Sequence, residues 1–326
     1  CSGSNYTLSG SSLSGDYSTI TWSTAGDGSF DNNNILHPVY TPGAGDIGAG
    51  SVVLTISIDS DAPCGDKDDT MTLTVNEQPT MDAGSDDEIC SDDTFTPSDA
   101  GATGDYTLLT WTTNGDGSFT GGQGTLTPTY DPGATDISSG TVTLRLTATA
   151  AGSCSDHFNE MTLAVTQQPN SGAGSNREIC SDDTFTPNNA SASGDYTSLV
   201  WTTTGDGTFI AGQGTLTPTY DPGPNDISSG LARLDLTTVA AGSCSDDTDR
   251  MRLTVTEQPV AEAGNNENIC SNSTLTISSA TATGDYSSLV WSTAGDGSFT
   301  SNATTLTPTY TPGATDISSG SVVLTL

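Results

Sequence analysis

The chain has 326 residues, of which 40 are acidic and only 6 are Lys or Arg, so its formal charge is −34. General binding to nucleic acid depends on Lys and Arg side chains that contact phosphates, so this composition excludes a generic nucleic-acid binder. An anionic membrane surface would repel the chain for the same reason. No run of residues approaches the roughly 18 to 20 apolar residues that cross a bilayer, and we therefore expect no membrane insertion.

One ten-residue segment occurs four times. TWSTAGDGSF at Thr21 returns as TWTTNGDGSF at Thr110, VWTTTGDGTF at Val200 and VWSTAGDGSF at Val290. A fixed period of about 90 residues defines a repeat architecture, and each repeat is long enough to bury one small core. We predict four tandem modules, the last incomplete, joined by short stiff Gln-Pro connections, with the boundaries 1–79, 80–169, 170–259 and 260–326.

In chain order, the second module shows a strand DTFTP, a strand TLLTWTT, a turn NGDGSF, a strand TLTPTYDPG, a corner ATDISSG, a long strand TVTLRLTATA, a turn AGSCSD and a strand EMTLAV. Asp-Gly between alternating segments is a strong hairpin signal, so the turn is predicted to be a hairpin with a positive φ at Gly117. The corner is predicted to be one helical turn capped by Asp136, and the hydroxyl of Tyr130 is expected to bond to backbone there. About seven short strands, with no amphipathic helical period, predict an all-β sandwich.

The stretch WTTNGDGSF resembles the Trp-x-x-Gly-Asp-Gly-Ser segment of PKD domains, which are immunoglobulin-like (Ig-like) sandwiches. The longer pattern, through LTPTY, PGATDISSG and the second cysteine, is similar to PKD-like repeats in large surface proteins of Bacteroidota and covers all four modules. The resemblance implies four Ig-like modules of about 90 residues. It also implies export to the cell surface, often by the type nine secretion route, and roles in adhesion, gliding or extracellular fibres.

The seven cysteines occupy two places in the repeat, at Cys1, Cys64, Cys90, Cys154, Cys180, Cys244 and Cys270. Pairing them in order gives separations of 63 or 64 residues and leaves Cys270 over. We therefore predict the intramodular disulfides Cys1–Cys64, Cys90–Cys154 and Cys180–Cys244, which are typical of an oxidising, extracellular compartment. The partner of Cys270 is expected beyond residue 326, in a longer polypeptide.

Two other roles for the cysteines are weaker. Lipidation of Cys1 is disfavoured because Cys1-Ser2 aligns with Cys90-Ser91 and its later copies. Zinc binding lacks a CxxC pair or a neighbouring histidine.

The predicted disulfides would gather carboxylates at one end of a module. These are Asp92 and Asp93 with Asp156 in the second module, and Asp182 and Asp183 with Asp246 and Asp247 in the third. Oxygen ligands suit Ca²⁺, so a calcium ion that stiffens the junction is one hypothesis, and a solvated acidic surface is the other. Asn272 replaces Asp92 in the fourth module, which weakens a common ligand set. No other cofactor is predicted.

Catalysis has little support. His37 and His157 are the only histidines and stand at non-equivalent positions, and no nucleophile elbow or HExxH motif occurs, so we predict no enzyme activity. The Gly-Asp-Gly copies offer one Asp between glycines, too few oxygens for a calcium loop. Asp69-Thr70-Met71 resembles the Bacteroidota O-glycosylation pattern, and the alternative is that Thr70 simply points outward from a strand.

Two functions remain. The first is a structural extracellular protein, a rigid repeat array that forms a surface stalk, fibre or filament and self-associates. The alternative is an adhesin whose modules bind surface glycans or another cell. A receptor would diversify one set of loops, whereas ATGDY, GDGSF and PGATDISSG repeat nearly as faithfully as the core, which favours the array.

Overall fold

The computed structural model describes residues 1–60 and 63–326. The chain divides into two compact units. The first consists of Cys1–Gln168 together with Gly242–Cys244, and the second of Pro169–Ala241 together with Ser245–Leu326. No helix in the described residues is long and apolar enough to cross a membrane. The four module boundaries predicted from the repeat stay predictions.

The elements of the first repeat are β1 (Tyr6–Thr7), β2 (Thr19–Thr24), β3 (Ser29–Phe30), β4 (Val39–Thr41), α1 (Ala44–Ala49), β5 (Ser51–Asp59) and β6 (Lys67–Thr74). The strands form two three-stranded sheets, in the orders β1-β4-β3 and β2-β5-β6.

The second repeat also lies in the first unit. Its elements are β7 (Thr80–Asp82), β8 (Asp87–Cys90), β9 (Gly101–Thr103), β10 (Tyr106–Thr113), β11 (Ser118–Gly121), β12 (Thr129–Asp131), α2 (Ala134–Ser139), β13 (Thr141–Ala150) and β14 (His157–Thr166). One sheet has the order β10-β13-β14-β8, in which β8 runs parallel to β14. The other face carries the pairs β7-β9 and β11-β12, and Phe95 bridges to Tyr130 of β12.

The third repeat lies in the second unit except for Gly242–Cys244. Its elements are β15 (Asn170–Gly172), β16 (Arg177–Cys180), β17 (Ser191–Ser193), β18 (Tyr196–Thr203), β19 (Thr208–Ala211), β20 (Thr219–Asp221), α3 (Pro224–Ser229), β21 (Leu231–Ala240) and β22 (Asp247–Thr256). Its topology is that of the second repeat, with a sheet ordered β16-β22-β21-β18. The fourth repeat has β23 (Val260–Glu262), β24 (Leu275–Thr276), β25 (Thr281–Thr283), β26 (Ser292–Thr293), β27 (Ser298–Ser301), β28 (Thr309–Thr311), α4 (Ala314–Ser319) and β29 (Leu324–Thr325).

The alternation of residues along the long strands produces the core. In β13 the buried side chains are Val142, Leu144, Leu146 and Ala148, and the Thr and Arg residues between them face outward. Burial of apolar area in this pattern is the main stabilising term of a sandwich. The chain therefore consists of tandem Ig-like β-sandwich repeats, as predicted.

Three aromatic rings recur at the centre of each repeat. In the second repeat, the ring centroids of Trp111 and Phe119 lie 6.2 Å apart and those of Phe119 and Tyr130 lie 5.0 Å apart, both tilted. Tilted pairs at such distances are favourable beyond the area that they bury. The Phe that ends each Gly-Asp-Gly segment thus joins the Trp to the Tyr.

The Gly-Asp-Gly turn is not a hairpin. Strand β10 before it pairs with β13, and strand β11 after it pairs with β12, so the turn carries the chain from one sheet to the other. Gly117 is not among the glycines with positive φ. A side chain there would overlap the hydroxyl of Tyr130 and lie 2.6 Å from the carbonyl oxygen of Asp131. The predicted hairpin and positive φ are wrong, because glycine is needed here for close approach to the aromatic core.

We expect Gly117→Ala to destabilise the second repeat by about 1–3 kcal/mol, because the added methyl must displace Tyr130. The matched control is Gly214→Ala, where a Cβ would meet open space at a φ that is not positive. Hydrogen exchange of the amides of β13 and β21 measures the local opening free energies. Gly117→Ala should lower the protection of the β13 amides, and Gly214→Ala should leave that of the β21 amides unchanged. Unchanged protection of β13 in Gly117→Ala would contradict the close approach.

Candidate functional site at the module junction

Each short helix buries one aspartate against the Gly-Asp-Gly turn. Asp136, in the first turn of α2, is only 1% exposed. Its carboxylate accepts hydrogen bonds from the hydroxyl of Tyr130 at 2.6 Å and from the backbone N–H groups of Gly133 and Gly117, both at 3.0 Å. Gly133 is the N-cap of α2, so the predicted helical turn exists but Asp136 is its third residue rather than its cap. The tyrosine hydroxyl bonds to this carboxylate, whereas a backbone partner was expected.

The aspartate of the turn, Asp116, binds the first turn of the helix. The carboxylate of Asp116 accepts hydrogen bonds from the backbone N–H groups of Thr135 at 3.0 Å and Asp136 at 3.2 Å, which have no partner within the helix. We call this reciprocal pair of aspartates, with the tyrosine, the aspartate clasp. It recurs in every repeat, and the Tyr hydroxyl to Asp distance is 2.6 Å in each of Tyr40–Asp46, Tyr130–Asp136, Tyr220–Asp226 and Tyr310–Asp316.

The clasp is a structural device. Burial and the hydrogen bond to Asp136 raise the pKa of Tyr130 to about 12, so this hydroxyl stays protonated and donates. Hydrogen bonds from the backbone N–H of Thr135 lower the pKa of Asp116, so this carboxylate stays ionised and accepts. The four Gly-Asp-Gly copies therefore tie a turn to a helix, since the protein's own donors engage their carboxylates.

The cysteines pair between repeats. Cys1 is bonded to Cys154 and Cys90 to Cys244, with sequence separations of 153 and 154 residues. The predicted intramodular pairs Cys1–Cys64, Cys90–Cys154 and Cys180–Cys244 are wrong. Among the described residues, Cys64, Cys180 and Cys270 are free thiols.

Strand pairing explains why the intramodular bridge cannot form. Cys90 ends β8 and lies opposite Thr166, the last residue of β14. Cys154 precedes β14 at its other end. Twelve residues of extended chain span about 40 Å, whereas a disulfide needs Cα atoms within about 7 Å. The two cysteines of one repeat therefore lie at opposite ends of the sandwich, and each meets a cysteine of a neighbouring repeat.

Gln78, in the Gln-Pro connection, contacts residues on both sides of the first of these disulfides, and we call these contacts the Gln78 bracket. The side-chain amide of Gln78 donates a hydrogen bond to the carbonyl oxygen of Ser155 at 2.6 Å, and its backbone N–H donates to the hydroxyl of Ser2 at 2.9 Å. Its amide oxygen lies 3.2 Å from the sulfur of Cys1. The backbone N–H of Ser2 donates to the carbonyl oxygen of Asn76 at 2.7 Å. One glutamine thus joins the end of the first repeat to the cysteine-bearing loop of the second.

Four residues form the place where the loop that carries the second disulfide is bound, and we call them the receiving site: Glu88, Cys90, Thr166 and Gln168. The receiving site binds residues Gly242–Cys244, which we call the Gly-Ser-Cys loop. These three residues belong to the first unit. The backbone N–H of Ser243 donates to the carboxylate of Glu88 at 3.1 Å, and the hydroxyl of Thr166 donates to the same oxygen at 2.7 Å.

Two features of this contact favour a glycine in the loop. Gly242 has a φ of 54°, and a side chain on it would overlap Glu88. Gly152, its counterpart in the first junction, has a φ of 60°, and a side chain there would overlap the amide of Asn76. Both the positive φ and the close approach favour glycine. Sequence reasoning missed this role, although Gly-Ser-Cys in the second and third repeats was the available signal.

The acidic residues proposed for calcium do not form the expected group. The disulfide that would have joined Asp92 and Asp93 to Asp156 is absent. The carboxylates of Asp156 and Asp246 accept hydrogen bonds from the N–H groups of Ala150 and Ala240, the last residues of β13 and β21. Asp247 accepts from the N–H and hydroxyl of Ser171, while Asp92, Asp93, Asp182 and Asp183 are exposed. In residues 1–60 and 63–326 no group of three or more His, Cys, Asp or Glu side chains is placed to hold a metal ion. Calcium binding stays a prediction.

The remaining candidate residues have local roles. Nδ1 of His37 lies 2.9 Å from the carbonyl oxygen of Leu8, and Nδ1 of His157 accepts a hydrogen bond from the N–H of Met81 at 3.1 Å. Thr70 is exposed on β6, a strand at the edge of its sheet. Glycosylation of Thr70 stays a prediction.

No protein-family model matches the chain, and no curated protein matches it. Among solved structures, it is similar to an I-band fragment from titin, with 10% identity and a TM-score of 0.48, covering 72% of this chain and 87% of that chain. EC22-24 of mouse cadherin-23 matches with 12% identity and a TM-score of 0.34, covering 73% and 86%. EC1-4 of Drosophila N-cadherin matches with 10% identity and a TM-score of 0.36, covering 77% and 75%. These likenesses concern the fold alone.

Acid should weaken the clasp. Backbone hydrogen bonds lower the folded-state pKa of Asp116 and Asp296 below the usual 3.8, and such a group adds stability above its unfolded pKa that is lost as the pH falls through the folded value. Protection factors of the α2 amides should be constant from neutral pH to about 5 and fall progressively below about 4.

Asp116→Asn should lower the protection of the α2 amides already at neutral pH and make it depend less on acid. The exposed Asp131→Asn is the control, and an unchanged acid profile in Asp116→Asn would argue against the clasp.

Non-reducing peptide mapping should recover Cys1–Cys154 and Cys90–Cys244 as cross-linked peptides. Cys154→Ser should free the thiol of Cys1 and leave Cys90–Cys244 intact, because the two bridges share no residue. Recovery of a Cys90–Cys154 peptide from the wild-type chain would refute the pairing between repeats.

Proposed function

We propose that this chain is part of a structural extracellular array, in which Ig-like modules follow one another in an extended row and form a surface stalk, fibre or filament. The observation that carries the proposal is the Cys1–Cys154 disulfide with its Gln78 bracket, since both join one repeat to the next. Disulfides of this kind persist in oxidising compartments, which favours a location outside the cell.

The junction suits a protein that bears force. Each of the first three repeats has its own cluster of buried apolar residues, so it does not depend on a distant repeat for its core. A covalent bond in parallel with the backbone connection limits bending at the junction. A spacer needs such limits, whereas an enzyme needs a reactive site. The repeated carboxylates of the clasp are engaged by the protein's own donors, which supports a non-enzymatic role.

Lateral self-association is part of this proposal. Strands β10 and β18 lie at the edges of their four-stranded sheets and carry the exposed side chains of Leu108 and Val200. Unpaired edges are templates for strand pairing between chains. The formal charge of −34 opposes contact between copies, and salt or divalent cations would screen it. We therefore expect bundling that strengthens with ionic strength and with Ca²⁺.

An adhesin that binds surface glycans is the alternative function. The near identity of the repeated loops supports the array, because a receptor needs one loop set that differs from the others. Specific retention on immobilised glycans by the intact chain would favour the adhesin.

Small-angle scattering of the oxidised chain in dilute buffer tests the extended row. A compact chain of this length would have a radius of gyration of about 20 Å, and we expect a value about twice as large. Reduction of the disulfides should broaden the distance distribution, because the junctions then bend freely. A radius near the compact value would refute the stalk, whereas monomers that persist in millimolar Ca²⁺ would remove only the self-association.

A further inference from the structure

The third repeat carries a second copy of the receiving site. Glu178, Cys180, Thr256 and Gln258 stand at the places of Glu88, Cys90, Thr166 and Gln168, one repeat later. Three of them, Glu178, Cys180 and Thr256, line an open depression of about 450 Å³ together with Ile179 and Asp183. The equivalent surface of the second repeat is covered by the Gly-Ser-Cys loop.

The side chains of this second site already have the arrangement of the occupied one. The hydroxyl of Thr256 donates to Glu178 at 2.9 Å, as Thr166 does to Glu88 at 2.7 Å. The thiol of Cys180 donates to the amide oxygen of Gln258 at 2.7 Å, where the sulfur of Cys90 lies 3.0 Å from Gln168. The backbone N–H of Gln258 donates to the hydroxyl of Ser181 at 2.9 Å, and that of Gln168 to Ser91 at 3.0 Å.

We propose that the Cys180 site binds a Gly-Ser-Cys loop presented by a further module of this repeat type and joins it through a disulfide. The Cys180 thiol and the loop thiol lose two protons and two electrons to a disulfide-bonded oxidant, which is reduced to its dithiol. The site rests on the same junction as the proposed function, but it does not require that the array be extended or bundled.

The free Cys64 of a second copy does not fit this site. Ala62 and Pro63 stand in the sequence where the third repeat has Gly242 and Ser243. A side chain at the first place overlaps the receiving glutamate, and proline at the second has no N–H to donate to it. The site therefore selects the Gly-Ser-Cys sequence.

Two other thiols of the same chain provide internal controls. Cys270 stands at the place of Cys180 in the fourth repeat, but Asn268 replaces the receiving glutamate there. Cys64 lies on a loop of the donating type and is exposed. Burial and the neighbouring carboxylate of Asp182 raise the pKa of the Cys180 thiol, which affects its reaction with any disulfide. Rates are therefore compared between two probes at the same cysteine.

The experiment uses the oxidised full chain and the synthetic peptide Ala-Ala-Gly-Ser-Cys-Ser-Asp, which has the sequence of residues 240–246 and carries its cysteine as a mixed disulfide with 2-thiopyridine. The Cys180 thiolate attacks the peptide sulfur, the bond to thiopyridine breaks, and pyridine-2-thione leaves. The control peptide is Ala-Ala-Ala-Pro-Cys-Ser-Asp, which has the same charge. Thione release gives the rate, and mass spectrometry of proteolytic fragments identifies the modified cysteine.

We expect Cys180 to capture the Gly-Ser-Cys peptide about tenfold faster than the control peptide, because only the first can donate its serine N–H to Glu178 without overlap. Cys64 and Cys270 should react with both peptides at similar rates. Glu178→Ala should abolish the preference at Cys180, whereas Glu262→Ala, an exposed carboxylate on β23, should leave it unchanged. Equal rates at Cys180, the same preference at all three cysteines, or no reaction at Cys180 would each overturn the site. A failed scattering test with a successful capture would instead remove only the extended row.

Discussion

The parallel pairing of β8 with β14 is the constraint on which the junctions depend. Because of this pairing, β8 and β14 end at the same end of the sandwich. Cys90, the last residue of β8, therefore lies where the chain leaves the repeat. The other cysteine of the repeat lies in the turn that precedes β14, at the opposite end. With one cysteine at each end, every bridge must reach a neighbouring repeat. The other groups at the junctions contact these cysteine-bearing segments. They are the linker glutamine Gln78, the loop glycine Gly242 and the receiving glutamate Glu88.

The fold could be predicted from the sequence because its causes are local or periodic. Alternating residues in TVTLRLTATA and the recurrence of Trp111 at a fixed period each indicate a buried strand without knowledge of the partner strands. The cysteine pairing could not be predicted in the same way. In a repeat protein, separations of 64 and of 154 residues differ by one period, so spacing alone does not distinguish a bridge within a repeat from one between repeats.

The Gly-Asp-Gly motif shows a second limit of local reasoning. Its residues favour a hairpin by their local preferences. The need for glycine at this turn instead comes from contacts with Tyr130 and Asp136, which lie beneath the turn and follow it in the sequence. A regular signal was present, since a tyrosine precedes an aspartate by six residues in all four repeats. Its meaning depends on the packing of two sheets, which strand propensity does not describe.

The two overlapping disulfides change what a break in the polypeptide does. Cys1–Cys154 encloses every peptide bond up to residue 154, and Cys90–Cys244 encloses every bond from residue 90 to residue 244. A protease that cuts once anywhere between Cys1 and Cys244, including either Gln-Pro connection in that stretch, leaves both fragments covalently attached. Bridges within repeats would have left those connections as points where one cut separates the chain. A single cut in this stretch therefore does not release the residues that follow it.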